Sequence, residues 1–409
     1  MKNIYIFDEY VSSLQNGIGT FLGELICCFQ TLDANICLIE FNTPNKAFTM
    51  TIEKDIRRLQ FPVFYKNGFL ANYRIIDKFL RLYIQDSITN LFMLNHSPCE
   101  DLLKTIKTSF PLSKISFTIH DLGWTHRLFG DIAKMHCLVC DNVNLKKNTS
   151  NYRLVKYFRE EQRMYSICDR VICLSTETQN ALIELYNIPQ EKISLIPNGL
   201  QDEDTYLLSK NARSKLRKRK GIKKDEKLLL FSGRVTEVKG AIVLLKSFKK
   251  ILSKYPGSKL LVTGSIFDFS LISTVSKDIA LKIGYTGLIS KKELSKWYQI
   301  ADVGIIPSYT EQCTYTGIEM MKYGLPVVAS DGFGLKSMFE NGVNSMVVEV
   351  GNRSKGQGYA NRLTQAVLEL LNSNSLQNDL REQARKTYEL KYHSEIMKNG
   401  YQRLLKELF

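Results

Sequence analysis

Two glutamates, Glu311 and Glu319, stand eight positions apart around the start of a predicted helix. The apolar run 303–306 before them predicts a buried strand, and residues 317–323 have helical composition that ends at Gly324. Backbone amides at a helix N-terminus favour phosphate, and carboxylates accept hydrogen bonds from hydroxyl groups. This segment therefore predicts a site for a sugar that is joined to a nucleotide through a diphosphate.

Two cations occupy a second turn, which follows the predicted strand 228–231. Arg234 and Lys239 lie in the octapeptide that begins at Gly233 and ends at Gly240. A guanidinium offers a rigid fork of donors and an ammonium a compact charge, so both suit a diphosphate leaving group. Two ordinary surface cations on a turn are the alternative. Because no Asp-x-Asp motif stands at a predicted strand end, we expect this pair to neutralise the diphosphate without a metal or other cofactor.

A glycine-containing loop opens the first predicted helix. Gly17 and Gly19 would let the backbone approach a ligand closely and present amides to it. The third glycine of a dinucleotide-binding fingerprint is missing, since Leu22 takes its place, and only Glu40 is acidic at the end of the second predicted strand. A plain tight turn is the alternative interpretation of this loop.

Two histidines follow predicted strands. His120 comes directly after the run 115–119, and His96 stands in the same place after the run 91–94. An imidazole at the carboxyl end of a strand can hydrogen-bond a sugar hydroxyl, and it titrates near neutral pH. A histidine that caps or packs is the alternative for each. We expect one of them to line the acceptor side of the site.

Cys137 and Cys140 form a single Cys-x-x-Cys pair, with His136 beside it and His126 upstream. A structural zinc site of this type needs a second pair at the proper spacing, so the pattern indicates metal only weakly. Reduced cysteines in a helix or in a lid over the acceptor site are the simpler interpretation.

A chain of 409 residues exceeds one ordinary core, so two domains are expected. The hydrophobic fraction of 44% is that of a globular protein. Nine cysteines, an odd number without a regular framework, indicate a reduced, cytoplasmic protein. The first residues lack the apolar run of a signal peptide, and no window is apolar for long enough to span a bilayer.

The chain carries a net charge of +15, most densely between residues 213 and 224. Such charge attracts nucleic acid, an anionic membrane surface or a phosphorylated ligand. Because no aromatic residues interleave with this run, a platform that stacks single-stranded nucleic acid is disfavoured. A solvated helix in a linker is the simplest interpretation. A peripheral contact with the inner face of the membrane stays open, and nucleic acid is not expected as a partner.

Apolar runs of strand length alternate with helical patterns, as in parallel sheets that are buried on both faces. The alternation pauses over residues 198–226. This pattern predicts an α/β protein with two doubly wound, Rossmann-like domains, residues 1–198 and 199–390, that face a cleft. We expect a C-terminal helix, residues 391–409, to pack back toward the first domain. The expected strands are residues 4–7, 36–40, 91–94, 115–119, 171–174, 193–196, 228–231, 259–263, 283–285, 303–306, 327–329 and 346–348.

Together these motifs resemble the retaining glycosyltransferases of family 4, which have the GT-B fold. The resemblance covers most of the chain and is strongest over residues 228–350. The phosphate-clamp pattern of that family, Gly-Arg-x(4)-Lys-Gly, matches Gly233, Arg234, Lys239 and Gly240. The resemblance implies that these residues grip the diphosphate of the donor.

The family's Glu-x(7)-Glu pattern matches Glu311 and Glu319. The resemblance implies that Glu311 contacts the hydroxyls of the donor sugar and that Glu319 contacts the ribose of the nucleotide. It also implies that His120 binds a sugar hydroxyl near the reacting carbon, that Gly17 and Gly19 form the N-terminal glycine loop, and that no metal is required.

The chain departs from the family pattern in two loops. The family usually has Gly-Phe-Gly after the first glutamate, where this chain has Gln-Cys-Thr-Tyr-Thr at 312–316. We expect the backbone amides of Thr314, Tyr315 and Thr316 to reach the phosphate or sugar of the donor. The glycine loop after the second strand of the second domain is reduced to Gly264 and one serine.

The resemblance implies transfer of a hexose from a nucleotide-diphosphate sugar, with UDP-sugar favoured and GDP-mannose next. The acceptor would be a glycan, a lipid-linked glycan or a peptide, and residues 122–150 would select it. Two alternatives stay open: a nucleotide-sugar epimerase on the same fold, and a non-catalytic partner protein that binds a sugar nucleotide.

Overall fold

A computed structural model describes residues 1–9, 17–32, 34–63, 68–95, 100–140, 146–202, 207–266, 277–351 and 357–409. The candidate His96 lies outside these residues. The contacts divide the chain into two units. The first unit comprises Met1–Trp124, Ile132–Pro197 and Met397–Phe409, and the second comprises Thr125–Asp131 and Asn198–Ile396.

The first unit is built on an eight-stranded sheet with the order β3-β4-β2-β1-β5-β6-β7-β8. Its strands are β1 (Lys2–Glu9), β2 (Ala34–Thr43), β3 (Thr49–Glu53), β4 (Ile56–Pro62), β5 (Asn90–Leu94), β6 (Lys114–Thr118), β7 (Arg170–Cys173) and β8 (Ile193–Leu195). Its helices are α1 (Gly17–Gln30), α2 (Gly68–Tyr83), α3 (Glu100–Ser109), α4 (Ile132–Cys140), α5 (Ser150–Ile167) and α6 (Thr176–Glu184), followed by the 3-10 turn Gln190–Lys192. All strand pairs are parallel except β3 with β4.

The second unit is built on a six-stranded parallel sheet with the order β11-β10-β9-β12-β13-β14. Its strands are β9 (Lys227–Ser232), β10 (Ser258–Thr263), β11 (Ile283–Tyr285), β12 (Val303–Ile306), β13 (Val327–Ser330) and β14 (Met346–Val348). Its helices are α7 (Lys210–Arg219), α8 (Ala241–Lys254), α9 (Lys277–Ala280), α10 (Lys291–Ile300), α11 (Tyr315–Lys322), α12 (Gln357–Asn372) and α13 (Asn374–Thr387). A π-helical turn (Tyr388–Tyr392) leads into α14 (Ser394–Leu408), most of which belongs to the first unit.

All the expected strands are observed, and most of them are apolar runs that the sheets bury, whereas β8, β11 and β14 each have a single buried residue. Every residue of β5 and of β12 is buried, for example. Numbered from its first strand, the second sheet has the doubly wound order 3-2-1-4-5-6, and the order reverses between β9 and β12. The two parallel sheets are therefore the consequence of the alternating pattern in the sequence.

The antiparallel hairpin of β3 and β4 is a feature that the sequence analysis does not predict. Its turn residues Lys54 and Asp55 both have positive φ angles, 50° and 64°, as a two-residue hairpin turn requires. Strand β3 lies at the edge of the sheet and exposes Met50 and Ile52. It therefore lacks the buried apolar run from which the other strands were predicted.

Helix α7 carries much of the basic run, and none of its residues is fully buried, but some of its cations form ion pairs. Arg213 and Arg217 each donate to the carboxylate of Asp302, with N–O distances of 3.1 and 3.0 Å. Lys220, at the end of the helix, pairs with Glu293. The expectation of a solvated linker is thus wrong for these three cations, because they attach α7 to α10 and to Asp302 just after it.

The helices are amphipathic in the way that packing against a sheet requires. In α8 the buried residues Val243, Leu244, Phe248 and Ile251 recur on one face at helical spacing. Across the part of the chain that the structure describes, each helix is too short or too polar to traverse a bilayer.

Candidate active site

A pocket opens at the carboxyl ends of β9 and β12, where the strand order of the second sheet reverses. It contains about 310 Å³ of empty space, part of it open to solvent. Parallel sheets bind ligands at such points, because the loops that follow the two strands diverge there. Five of the residues predicted to bind a donor line this pocket: Gly233, Lys239, Glu311, Thr314 and Thr316.

Glycines allow three backbone segments to touch beside the pocket. Gly240 caps α8 with φ +76°, and a Cβ there would lie 2.0 Å from the carbonyl oxygen of Pro307. Gly264 has φ +119°, and its Cβ would lie 2.2 Å from the carbonyl oxygen of Gly233. Only glycine permits such approaches. The packing fixes the start of α8, and with it the position of Lys239.

Lys239 and Glu311 form an ion pair in the pocket, with 2.5 Å between Nζ and Oε1. The hydroxyl of Ser308 donates to the same carboxylate oxygen at 2.8 Å. Both charged side chains are largely buried, with exposed fractions of 18% and 11%. The pocket thus holds an ammonium for phosphate oxygens next to a carboxylate for sugar hydroxyls.

Arg234, the second predicted cation, differs from Lys239 in its surroundings. It is exposed and follows Gly233, which lines the pocket. Among the described residues it has no hydrogen-bond or ion-pair partner. A guanidinium without a protein partner is free to reorient toward a phosphate.

Helix α11 begins at the pocket. The side chains of Thr314 and Thr316 line the pocket, whereas Tyr315 is buried. Thr314 occupies the N-cap position but makes no capping hydrogen bond with its side chain. A helix start of this kind suits an anionic ligand, because the helix dipole is positive there.

Asn198 anchors the loop before α11. Its Nδ2 donates to the carbonyl oxygen of Cys313 at 2.7 Å, and both residues are buried. Burial raises the pKa of the Cys313 thiol to about 12. This cysteine is therefore a protonated packing residue at neutral pH rather than a nucleophile.

Glu319 lies on α11, and a buried tyrosine holds its carboxylate. The Tyr298 hydroxyl donates to Oε2 of Glu319 at 2.7 Å and lies 3.4 Å from the hydroxyl of Ser232, which lines the pocket. Burial raises the pKa of Glu319, against the opposing effects of Tyr298 and of two lysines. One oxygen of this carboxylate is thus fixed just behind the pocket wall.

In the first unit, Gly17 and Gly19, which were predicted to bind the donor, and His120, which was predicted on the acceptor side, lie around the start of α1. Gly17 and Gly19 are in its first turn, and Phe21 follows on its buried side. The ring of Phe21 packs edge-on against His120, which follows β6, with 4.4 Å between ring centroids. The structure therefore brings His120 and the glycine loop together.

The loop after His120 is tied to α5 by a buried carboxylate. Glu161 is 3% exposed and accepts hydrogen bonds from the Gly123 amide at 3.0 Å and the Tyr186 hydroxyl at 2.7 Å. Burial raises the pKa of Glu161 to about 7. This side chain fixes the path of the chain just beyond His120.

The Cys-x-x-Cys pair lies at the end of α4. Cys137 and Cys140 are exposed, and Sγ of Cys140 lies 3.6 Å from Nε2 of His136. Within the described ranges, no three potential metal ligands come together. The candidate His126 belongs to the segment Thr125–Asp131, which is part of the second unit.

Three residues around the pocket are not among those that the sequence singled out for chemistry. Ser308 follows the proline that ends β12, and Asn198 lies in the Pro-Asn-Gly segment where the strand pattern pauses. Both had a local signal, because polar residues at strand ends and in turns often serve a site. Tyr298 had no such signal in the sequence, because it occupies an apolar position of α10.

Two protein-family models match the chain. The model described as Glycosyltransferase Family 4 matches residues 16–204, and the one described as Glycosyl transferases group 1 matches residues 212–387. Together they span most of both units. The chain belongs to glycosyltransferase family 4.

This family 4 protein is similar to an uncharacterized glycosyltransferase of Methanocaldococcus jannaschii, with 32% identity over 187 residues. The match covers 45% of this chain and 47% of that protein, so the chain spans about half the length of the curated relatives it matches.

Two solved structures share the fold of the family 4 protein. Sucrose-phosphate synthase of Thermosynechococcus elongatus is 18% identical with a TM-score of 0.73, covering 100% of this chain and 99% of that chain. Anabaena HepE in complex with UDP and glucose is 14% identical with a TM-score of 0.70, covering 99% of this chain and 100% of that chain. The expected GT-B fold, with two Rossmann-like domains, is confirmed.

Proposed function

We propose that this family 4 protein is a retaining glycosyltransferase that moves a hexose from a nucleotide-diphosphate sugar to an acceptor. The observation that carries the proposal is the Lys239–Glu311 pair in the pocket at the strand-order reversal of the second sheet. It combines a cation for the diphosphate with a carboxylate for the sugar. UDP-sugar is favoured, since HepE has been solved with UDP and glucose, and GDP-mannose is next. The acceptor class is a glycan, a lipid-linked glycan or a peptide.

In the proposed reaction, Lys239 and Arg234 stabilise the negative charge that develops on the departing diphosphate. Glu311 holds the hydroxyls of the donor sugar, and Glu319 binds the ribose. His120 binds a sugar hydroxyl near the reacting carbon. No protein nucleophile is assigned: the leaving phosphate accepts the proton of the acceptor, and the new bond forms on the face that the phosphate leaves. The two cations replace a divalent metal.

The ion pair orients Glu311 before a donor arrives. An ammonium has three donors, so Lys239 can keep one hydrogen bond to Glu311 and turn the others to phosphate oxygens. Ser308 adds a second donor to the same carboxylate oxygen. A carboxylate held in this way needs little rearrangement when sugar hydroxyls reach it, which is the advantage of a preorganised site.

The proposal predicts that Lys239→Ala lowers turnover of UDP-hexoses by about a hundredfold or more, because charge on the leaving diphosphate loses its buried partner. Release of UDP from UDP-hexoses is the measurement, and Arg234→Ala should act in the same direction. Lys246→Ala is the matched control, since Lys246 is an exposed lysine on α8. A double variant, Arg234→Ala with Lys239→Ala, that turns over at the wild-type rate would refute the assignment.

A further inference from the structure

A basic surface lies at the end of the second unit that is opposite to the pocket. The pocket is at the carboxyl ends of β9 and β12, whereas α7 ends shortly before β9 begins at Lys227. Nζ of Lys259, the second residue of β10, donates to the carbonyl oxygen of Gly221 at 2.9 Å. The end of α7 is thereby held at the amino edge of the sheet, so its cations are separate from the proposed donor site.

Helix α7 divides its cations between two faces. Arg213 and Arg217, one turn apart, face inward and form ion pairs. Lys215, Lys218 and Arg219 recur at helical spacing on the other face, and all three are exposed. The sequence of α7 contains no acidic residue. The outward face of this helix therefore presents positive charge to the solvent.

The outward cations are not neutralised within the described part of the chain. The side chains of Lys215, Lys218, Arg219 and Lys224 make no hydrogen bond or ion pair with a described residue. Asp225, beside Lys224, is exposed as well and offsets one of these charges. Like charges close together repel one another, and an anionic partner relieves that repulsion. This surface is therefore complementary in charge to an anionic one.

An exposed leucine lies at the same edge of the sheet. Leu281 is 87% exposed and stands two positions before Ile283, the first residue of β11. Strand β10 pairs in parallel with both β9 and β11, so the three strands begin at one edge, with β9 and β11 about 10 Å apart. At a lipid surface, cations bind the headgroups while apolar side chains enter the layer below them. Leu281 therefore favours lipid over nucleic acid, whose phosphate backbone has no apolar layer beneath it.

We propose that the outward face of α7 and the adjoining amino edge of the second sheet dock on a bilayer surface that contains anionic phospholipids. Lys215, Lys218, Arg219 and Lys224 contact the lipid phosphates, and Leu281 enters the boundary between headgroups and acyl chains. The contact is peripheral, because it uses side chains of a surface helix and of a sheet edge. The inference goes beyond the proposed function and does not depend on the donor site.

The experiment is sedimentation of the full chain with vesicles of equal parts phosphatidylcholine and phosphatidylglycerol, and with vesicles of phosphatidylcholine alone. We expect binding to the anionic vesicles only, weakening as salt screens the charges. The double variants Lys218→Gln with Arg219→Gln and Lys215→Gln with Lys224→Gln should each bind about twentyfold more weakly, because one basic side chain at such a surface contributes about fivefold. Leu281→Gln should bind about fivefold more weakly at unchanged charge, because an apolar side chain no longer leaves water.

Arg403→Gln with Lys406→Gln is the matched control. It removes the same two charges from exposed positions of α14, in the part of that helix that belongs to the first unit. This variant should bind the anionic vesicles nearly as well as the wild type, which separates a local surface from an effect of net charge. All the variants should unfold close to the wild-type midpoint, because the altered side chains are exposed. Two separate double variants keep the test valid if one of them folds poorly.

Several outcomes would overturn the proposal. One is equal binding of the wild type to both kinds of vesicle, and another is double variants that bind as the control does. A Leu281→Gln variant that binds as tightly as the wild type would remove the reason for preferring lipid. A duplex DNA probe tests the other anionic partner: tighter binding to the duplex than to anionic vesicles at physiological salt would make the surface one for nucleic acid. Because no nucleotide sugar is present, failure here leaves the proposed function standing.

Discussion

At the residue scale, the carboxylate of Glu319 has one oxygen held by the Tyr298 hydroxyl at 2.7 Å. Tyr298 is 1% exposed, so it cannot itself be the group that meets a nucleotide. Its effect would pass through Glu319, by fixing Oε2 so that the rest of the carboxylate keeps one orientation. Tyr298 is therefore a positioning residue for the proposed contact with ribose.

We predict that Tyr298→Phe weakens UDP binding by about tenfold, because Glu319 loses the hydrogen bond that orients it. Binding of 2′,3′-dideoxyuridine diphosphate, which lacks the ribose hydroxyls, should change little. Titration calorimetry with both nucleotides gives the comparison. Tyr255→Phe is the control, since the Tyr255 hydroxyl contacts Asn372 at the surface. An equal loss for both nucleotides would show that Tyr298 supports the fold and not the ribose contact.

The buried carboxyl of Glu161 makes a prediction about pH. Its pKa is raised by burial from 4.5 to about 7, so the folded protein keeps a proton that the unfolded chain releases in this range. Stability therefore falls as the pH rises from 4.5 to about 7, by about 3 kcal/mol for this group. Glu161→Gln cannot ionise and should lose less stability over the same range.

Urea unfolding of the full chain at pH 5 and pH 7 measures this difference. Asp8 also has its pKa raised to about 7, so the variant should retain part of the pH dependence. Glu160→Gln is the control, because the side chain of Glu160 is 42% exposed. A Glu161→Gln protein with the full pH dependence of the wild type would show that Glu161 is not the titrating group.

Spacing and residue type singled out Glu311 and Lys239, which line the pocket, and also Glu319 and Arg234. The roles of all four in binding a donor stay predictions. The ion pair between Lys239 and Glu311 could not be predicted from the sequence, because the two residues are 72 positions apart and only the sheet brings them together. Tyr298 was not predicted either, since a buried tyrosine in a helix looks like a packing residue until its hydroxyl is seen to reach a carboxylate.

At the element scale, the turns that follow β9 and β10 lie backbone against backbone. We predict that Gly264→Ala strongly destabilises the second unit, because the new Cβ would lie 2.2 Å from the carbonyl oxygen of Gly233. Gly287→Ala is the matched control: its φ is +65°, but a Cβ there has no atom within 4 Å. It should cost only about 1–2 kcal/mol, the ordinary backbone penalty. Urea unfolding compares the two, and equal losses would contradict the clash.

Most strands were predictable because they are buried apolar runs. The edge hairpin was not predictable, because β3 is largely exposed. Helix α7 shows the other limit. Its basic composition suggests a solvated face, yet Arg213 and Arg217 are used to bind Asp302. Composition gives the charge of a helix but not the distant carboxylate that neutralises it.

At the scale of the whole molecule, the net charge of +15 does not define a partner. Arg213, Arg217 and Lys220 are engaged in ion pairs with carboxylates of the second unit, so part of the densest basic run is neutralised within the protein. The other cations of the run are exposed: Lys215, Lys218, Arg219, Lys223 and Lys224. The cations with the clearest proposed role are Arg234 and Lys239, which stand at a pocket. A phosphorylated small molecule therefore accounts for the charge near this pocket better than nucleic acid does.

The most direct test of the central claim is thermal unfolding of the full chain with UDP-glucose, GDP-mannose and ADP-glucose, without added divalent metal. A ligand that binds only the folded state raises the unfolding midpoint. We predict that a UDP- or GDP-sugar stabilises the wild type, and that Lys239→Ala and Glu319→Gln reduce this shift while Lys246→Ala does not. A wild-type protein that no nucleotide sugar stabilises, or a Lys239→Ala variant stabilised as fully as the wild type, would contradict the account.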